Sequence, residues 1–505
     1  MQASITALVL LAALAAPGRA ATYYMLPDST GAFTTLQEAV DACVDGDSVV
    51  LADGTFYIEN PLGVIFWGKN IFFGSASDSP EDCVIDVAAG ESGYKFGFNL
   101  SQGETRDCVV QGVTVCNGRG HDGGAIHIRG NSNPTVRNCI LRDNYSVAGG
   151  GGLKAYELSS PLIEGCHVFD NRISEGSGGG GIYCSGDSID IRGCLVELND
   201  GGNSVYLGIG GGIDADGAGR IRNCIVRYNT VGVVGGGICI SGDVSVEGCQ
   251  IYGNETFVTG GGLGYYTAPS PPPPLVTNTT LVDNASPNGS ALWNGNLFVG
   301  YPAGPIVLLN CLVTDNHGAG GPFFSEIPSA DFTLRCTDVW GNEGGDWVGP
   351  LAGQLGQQGN ISADPRFCDA ASSEYTLRDD SPCLPANNDC GEQMGALGQG
   401  CTLTAVPGGT PGFAPLLAQN HPNPFNAHTR IDFSLPSAGS VSLSIYTIAG
   451  RERVQLLRGA WLEAGTHRLD WDGTDSEGRA LASGVYVYRL VTPWGTLARK
   501  LTLLQ

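Results

Sequence analysis

Two rows of side chains in the middle of the chain have the types and spacing to do chemistry. Gly-led segments recur there: GGAI at 123–126, GGGGL at 149–153, GGGGI at 178–182, GGGI at 210–213, GGGI at 235–238 and GGGL at 260–263. If each opens a strand, the outward residues form one row of His127, Lys154, Tyr183, Asp214, Cys239 and Trp293. A second row holds Arg129, Tyr156, Ser185, Asp216, Ser241 and Tyr266. Asp214 and Asp216 then lie on one strand face, about 6.6 Å apart by strand rise, a separation that suits inverting glycoside hydrolysis. With Lys154 and Arg129 to neutralise a uronate, these four are the catalytic candidates for acid/base chemistry. His127, Tyr156, Tyr183, Tyr266 and Trp293 are the binding candidates, their rings available to stack on sugars. Two same-face aspartates on an acidic surface more often mark a solvated face or a calcium site than a catalytic pair, so calcium is a possible cofactor, and no residue is assigned as a metal ligand. His121 and Asp122, beside two glycines, fit a catalytic pair or a polar turn. Cys239 reads as a free or loop-paired thiol.

A repeat positions these residues. VRNCILRDN at 136–144, IEGCHVFDN at 163–171, IRGCLVELN at 191–199, IRNCIVRYN at 221–229, VEGCQIYGN at 246–254 and LLNCLVTDN at 308–316 share one frame. The closing residues Asn117, Asn144, Asn171, Asn199, Asn229, Asn254, Asn284, Asn316 and Asn342 are separated by 25 to 32 residues. Such a period marks a stacked array whose single units cannot bury their own apolar face. The apolar residues alternate with period two, so each unit is a coil of short strands. Counted from the Cys, positions −3 and +2 are aliphatic in every copy, and −1 is always Asn or Gly, the types that tolerate a left-handed corner. Cys139, Cys166, Cys194, Cys224, Cys249 and Cys311 therefore form an interior column, with Thr279 replacing it once. Rungs about 4.8 Å apart with parallel Cβ directions fit disulfide geometry poorly, so buried thiols are expected. The closing Asn is expected to line a turn, bonding backbone or its own neighbours in a ladder.

The 505 residues include 77 Gly, and the net charge is −24. That balance argues against a nucleic-acid partner, and any acidic polymer would need a local basic site or a bridging cation. Residues 1–20 read as a secretory signal peptide, and no later apolar run is long enough for a transmembrane segment. Seventeen Cys suit export, but their odd number leaves at least one unpaired. TTLQEAVDAC at 34–43 has helical apolar spacing and would cap the first coil.

The entry segment YYMLPDSTGAFTTLQEAVDACVDGDSVVLADGTF, with the rungs that follow, resembles right-handed parallel β-helix proteins of the pectate-lyase-like class over about residues 22–345. The resemblance implies a substrate groove on an exposed face of the coil. The catalytic patterns of those enzymes are missing: there is no DD pair within a rung, no GHG and no Arg-x-Pro-x-x-Arg. The GGxI and [VL]xxN markers also resemble the repeats of chlamydial polymorphic membrane proteins, which are surface adhesins on a β-helix.

Periodicity fades after Asn342. Residues 346–405 read as a Cys-containing back cap in which Cys368, Cys383, Cys390 and Cys401 allow three pairings. VPGGTPGF at 406–413 is a linker. The alternating runs IDFSL, VSLSIY, HRLDW and GVYVYRL in 414–505 describe a small antiparallel sandwich. Its NPNPF, IYTIAGR, WDGTDSEG, ASGVYVYRL and RKLTLL resemble the FlgD-like Ig fold and the C-terminal sorting domain of type IX secretion, which implies outer-membrane secretion machinery as a partner. WDGTDSEG fits a cation loop or a hairpin turn, and SPPPP at 270–274 a rigid inserted loop. The expected protein is all-β: a signal peptide (1–20), a cap with the first coils (21–118), repeated β-helix rungs (119–345), the back cap, the linker and an Ig-like sandwich. Two functions fit a secreted or outer-surface protein of this design: binding a polysaccharide or cell-surface glycan, or cleaving an acidic polymer as a lyase or hydrolase.

Overall fold

The computed structural model describes residues 20–402 without 88–92, 175–177, 203–207, 267–272, 296–303 and 326–331. It also describes 416–503 without 418–419, 421–422, 424, 427, 436–437, 448–450, 464, 476–477 and 494. The expected signal peptide up to residue 19, the linker 406–413 and most of SPPPP lie outside the described residues. The chain divides into two compact units, Met1–Arg366 with Asp379–Gln399, and Phe367–Arg378 with Gly400–Gln505.

The first unit is a solenoid. Each coil gives its Gly-led strand and the strand ending at −2 to a nineteen-stranded sheet, and the strand after the Cys to an eleven-stranded sheet. Pairing is parallel and in register, so Val136, Ile163, Ile191, Ile221, Val246, Val276 and Leu308 stack as one inward column. Leu141, Val168, Val196, Val226, Ile251, Leu281 and Val313 form another. Every member of both columns is fully buried. The corner between the sheets is the −1 residue: Asn138, Gly165, Gly193, Asn223, Gly248, Asn278 and Asn310 all have φ between 47° and 63°. The Cys column follows inside it, and its thiols are buried and unpaired, as expected. Cys194, for example, donates its S–H toward Ile163 O at 3.7 Å and Arg192 O at 3.4 Å.

The closing Asn residues form a continuous ladder. In the middle of it, Asn229 Nδ2 donates to Val196 O (3.0 Å), Arg227 O (3.0 Å) and Asn254 Oδ1 (3.0 Å). Its Oδ1 accepts from Asn199 N (3.0 Å) and Nδ2 (2.9 Å). Asn117 is not a member. It sits one position early, with φ 58°, and Gly118 N–H donates to Asn144 Oδ1 in its stead. That earlier position is left-handed on every later coil, at Asp143, Asp170, Leu198, Tyr228, Gly253, Asp283, Asp315 and Gly341. For a residue with a full side chain this conformation costs roughly 1–2 kcal/mol, less for Asn and Asp.

Both ends of the stack are covered. At the front, a helix over Leu36–Ala42, opened by a Thr35/Glu38 capping box, buries Leu36, Ala39 and Val40 against the first coil. Gln37 Oε1 accepts from Ile65 N (2.8 Å) and its Nε2 donates to Ile65 O (3.0 Å), so one side-chain amide occupies the place of a missing neighbouring strand. Gln354 repeats the device at the back, accepting from Leu334 N (3.0 Å) and donating to Phe332 O (2.9 Å).

The disulfides differ from a pairing within Cys368, Cys383, Cys390 and Cys401. Cys368 bonds Cys401, but Cys390 bonds Cys336, which stands at a −1 corner where Thr337 takes the column position. Cys383 is a buried free thiol donating to Asp338 Oδ2 at 3.2 Å. In the second unit, Leu416–Leu417, Thr429–Leu435 and Gly465–Trp471 form one antiparallel sheet, and Glu452–Leu462, Gly439–Thr447, Gly484–Thr492 and Gly495–Leu503 another. Phe433, Ile445, Tyr488 and Leu501 share their core, the expected sandwich.

Candidate functional site

The predicted ladder is present in register. His127 pairs with Lys154, Lys154 with Tyr183, Tyr183 with Asp214 and Asp214 with Cys239. Gly264 occupies the next rung and Trp293 the one after. The expected exposure of this row is overturned. His127 is 6% exposed, Lys154 8%, Asp214 1%, Cys239 0% and Trp293 1%. Asp122, Ala148, Ile209 and Val234, each between a closing Asn and the next Gly-led strand, lie against the row. Ile209 and Val234 pack with Cys239 and Trp293 in a small core of their own, and a Cβ on Gly264 would meet Val234 Cγ1 at 2.3 Å. The second row stays more open: Arg129 is exposed, and Tyr156, Ser185, Asp216 and Tyr266 are half-buried. Ser241 is buried and donates to Asp216 Oδ1.

At the front of the row the structure gathers Lys154, His127, Tyr156 and Arg129 with residues of the 121–122 turn. Lys154 Nζ donates to Asp122 Oδ1 (2.5 Å) and Ala148 O (2.6 Å) and lies 5.0 Å and 5.4 Å from the Tyr156 and Tyr183 rings. This lysine is therefore engaged and covered, not held out to a uronate. Asp122 Oδ2 also meets His121 Nδ1 at 2.9 Å. Burial raises the Asp122 carboxyl, but the hydrogen bonds from Lys154 and His121 outweigh it and hold it below the usual range. His127 stacks between Phe96 and Tyr156, with Nε2 3.2 Å from Tyr156 OH. Burial, with Arg129 nearby, lowers its pKa to about 4, so it is neutral at pH 7.

Further along, Tyr183, Asp216 and Tyr266, each partly exposed, gather around the buried Asp214 and Cys239. Burial first and Asp216 second push the Asp214 carboxyl well above the carboxylate range, and its Oδ1 has no hydrogen-bond partner. Burial and the Asp214 charge likewise raise Tyr183, Cys239 and Tyr266. Burial thus favours the protonated form of Asp214, as a catalytic acid requires, but the same burial closes it to substrate. Among the described residues no group of three or more His, Cys, Asp or Glu converges to hold a metal ion.

A network on the outer face of the eleven-stranded sheet escaped the sequence reading. His167 Nε2 meets Glu197 Oε1 at 2.9 Å, Arg227 Nε donates to Glu197 Oε2 (2.5 Å), and Arg227 Nη1 donates to Tyr252 OH (2.8 Å). Hydrogen bonding from His167 lowers the Glu197 carboxyl. Its members sit at +1 and +3 of the repeat, positions whose mixed composition carried no pattern.

The fold and these faces define a parallel β-solenoid followed by an Ig-like sandwich. The family model for a right handed beta helix region matches residues 81–242, and that for an FlgD Ig-like domain matches residues 423–492, so the chain carries both. Among solved structures the chain is similar to pectate lyase Pel9A, at 14% identity over 75% of this chain and 96% of that one, with a TM-score of 0.46. It is also similar to PorZ, a bacterial surface component of the type-IX secretion system of Porphyromonas gingivalis, at 20% identity. That match covers 17% of this chain and only 11% of PorZ, with a TM-score of 0.14. No curated protein sequence matches the chain. No helix of the described residues is long and apolar enough to cross a membrane.

Proposed function

We propose that the protein is a secreted or outer-surface polysaccharide-binding β-helix, exported by way of its C-terminal Ig-like domain and the outer-membrane secretion machinery. The observation that carries the binding reading is the strip of Arg129, Tyr156, Ser185, Asp216 and Tyr266, borne on parallel strands and at least partly exposed, beside a potential acid that is sealed away. Binding needs only the strip. Cleavage through Asp214 and Asp216 needs the cover over Asp214 to open.

The test incubates the full chain with polygalacturonate, alginate and uncharged plant glucans, and reads retention, ultraviolet absorbance of unsaturated ends and reducing ends. Retention without product supports binding. Product formation that is lost in Asp214→Asn with Asp216→Asn returns the protein to the lyase or hydrolase reading.

A further inference from the structure

The outer face of the eleven-stranded sheet holds a second surface with different chemistry. Position +3 brings Arg142, Phe169, Glu197, Arg227 and Tyr252 into register on successive coils. The rungs are about 4.8 Å apart, close to the length of one pyranose residue. Beside Glu197 and Arg227 stand Leu198 and Tyr228, 51% and 38% exposed, with φ of 56° and 54°. On the other coils that left-handed position is filled by Asn, Asp or Gly, the types that adopt it readily. Leu198 and Tyr228 instead hold a bulky side chain on unfavourable backbone and leave much of it in solvent. The Tyr228 ring is nevertheless held in place. A Cβ on Gly253 would meet its ring carbons at 2.5 Å, and Tyr252 stands edge-on to it, with centroids 5.6 Å apart at 84°.

We infer that Leu198 and Tyr228, with the Glu197 and Arg227 network beside them, form a platform for an uncharged polysaccharide. The inference rests on the polysaccharide-binding reading and assigns it a further face and a substrate class. The apolar pair takes the C–H face of a sugar ring, and the fixed carboxylate and guanidinium hydrogen-bond hydroxyls at its edge, the mix of apolar surface and few convergent polar groups that small-ligand sites use. Charge selects the class. Glu197 is matched by His167 and Arg227, and Arg142 by Asp143, so the face offers a uronate no unmatched cation, on a chain of net charge −24. Holding Arg227 between two partners also removes the ordering entropy of its long side chain before sugar arrives.

The test uses the full chain and the double variant Leu198→Asn with Tyr228→Asn. Affinity electrophoresis in gels containing galactomannan, xyloglucan, mixed-linkage β-glucan or polygalacturonate is read alongside the melting temperature. The expected result is retardation of the natural protein by at least one uncharged polymer, at least tenfold weaker in the double variant, with an unchanged or higher melting temperature because Asn suits the backbone. Undiminished affinity for the uncharged polymer, or a melting temperature that falls with the affinity, overturns the inference. If only polygalacturonate retards the protein and Arg129→Ala abolishes that, the platform is refuted and the binding function stands. If no polymer retards it, both are refuted.

Discussion

Replacing Asn229 by Ala tests what the Asn ladder contributes. The side chain is fully buried and takes part in five hydrogen bonds: three donated, to Val196 O, Arg227 O and Asn254 Oδ1, and two accepted from Asn199. At about 1 kcal/mol net for each bond, the loss is about 5 kcal/mol. A water entering the vacated space can restore about three of them, which leaves a loss near 2 kcal/mol. Asn229→Asp keeps the volume and both accepted bonds but turns a carboxylate toward three oxygens, so at pH 7 it should destabilise more than Ala, and at pH 4 the gap should narrow. Urea unfolding of the full chain, read at the solenoid transition by far-ultraviolet circular dichroism, measures both variants. A loss below about 1 kcal/mol for Asn229→Ala, or an Asp variant no worse than Ala at pH 7, would refute the ladder as a source of stability.

Burial raises Asp338 from 3.8 to about 7. Because the folded value is the higher one, its contribution is complete below pH 3.8 and lost as pH rises through 7, by at most about 4 kcal/mol; Asp338→Asn should flatten the stability profile across that window. Asp214 is shifted in the same direction, so Asp214→Asn should raise the melting temperature at pH 8, and a fall there would show that the ionised carboxylate has a partner. Iodoacetamide should leave Cys166, Cys194 and Cys224 unlabelled in the folded protein and label thirteen thiols in urea, since only the pairs 336–390 and 368–401 are oxidised. Mass spectrometry of the labelled peptides would count them.

The solenoid was legible because its strictest positions use residue types with one physical meaning. Asn or Gly at −1 announces a left-handed corner, and aliphatics at −3 and +2 announce the core. The position before the closing Asn bends the same way, but Asp, Leu, Tyr and Gly all occupy it, so no residue type marks it and nothing in the sequence separates Asn117, which stands there, from the ladder. Strand alternation placed the Asp214 row on the outside of the sheet but said nothing about whether solvent reaches it, because the covering segments around Ile209 and Val234 belong to no periodic pattern. Cys336 escaped the pairing problem because it lies within the last repeat, away from the Cys cluster of the back cap.

A stack of identical edges invites its own continuation, since the first coil of one molecule offers a neighbour's last coil the same rows of N–H and C=O groups that join coils within a chain. Two glutamine amides, at 37 and 354, sit in those openings. Head-to-tail addition of this kind never closes on itself and grows into a filament, so what these two side chains protect is the protein's existence as a separate, finite particle.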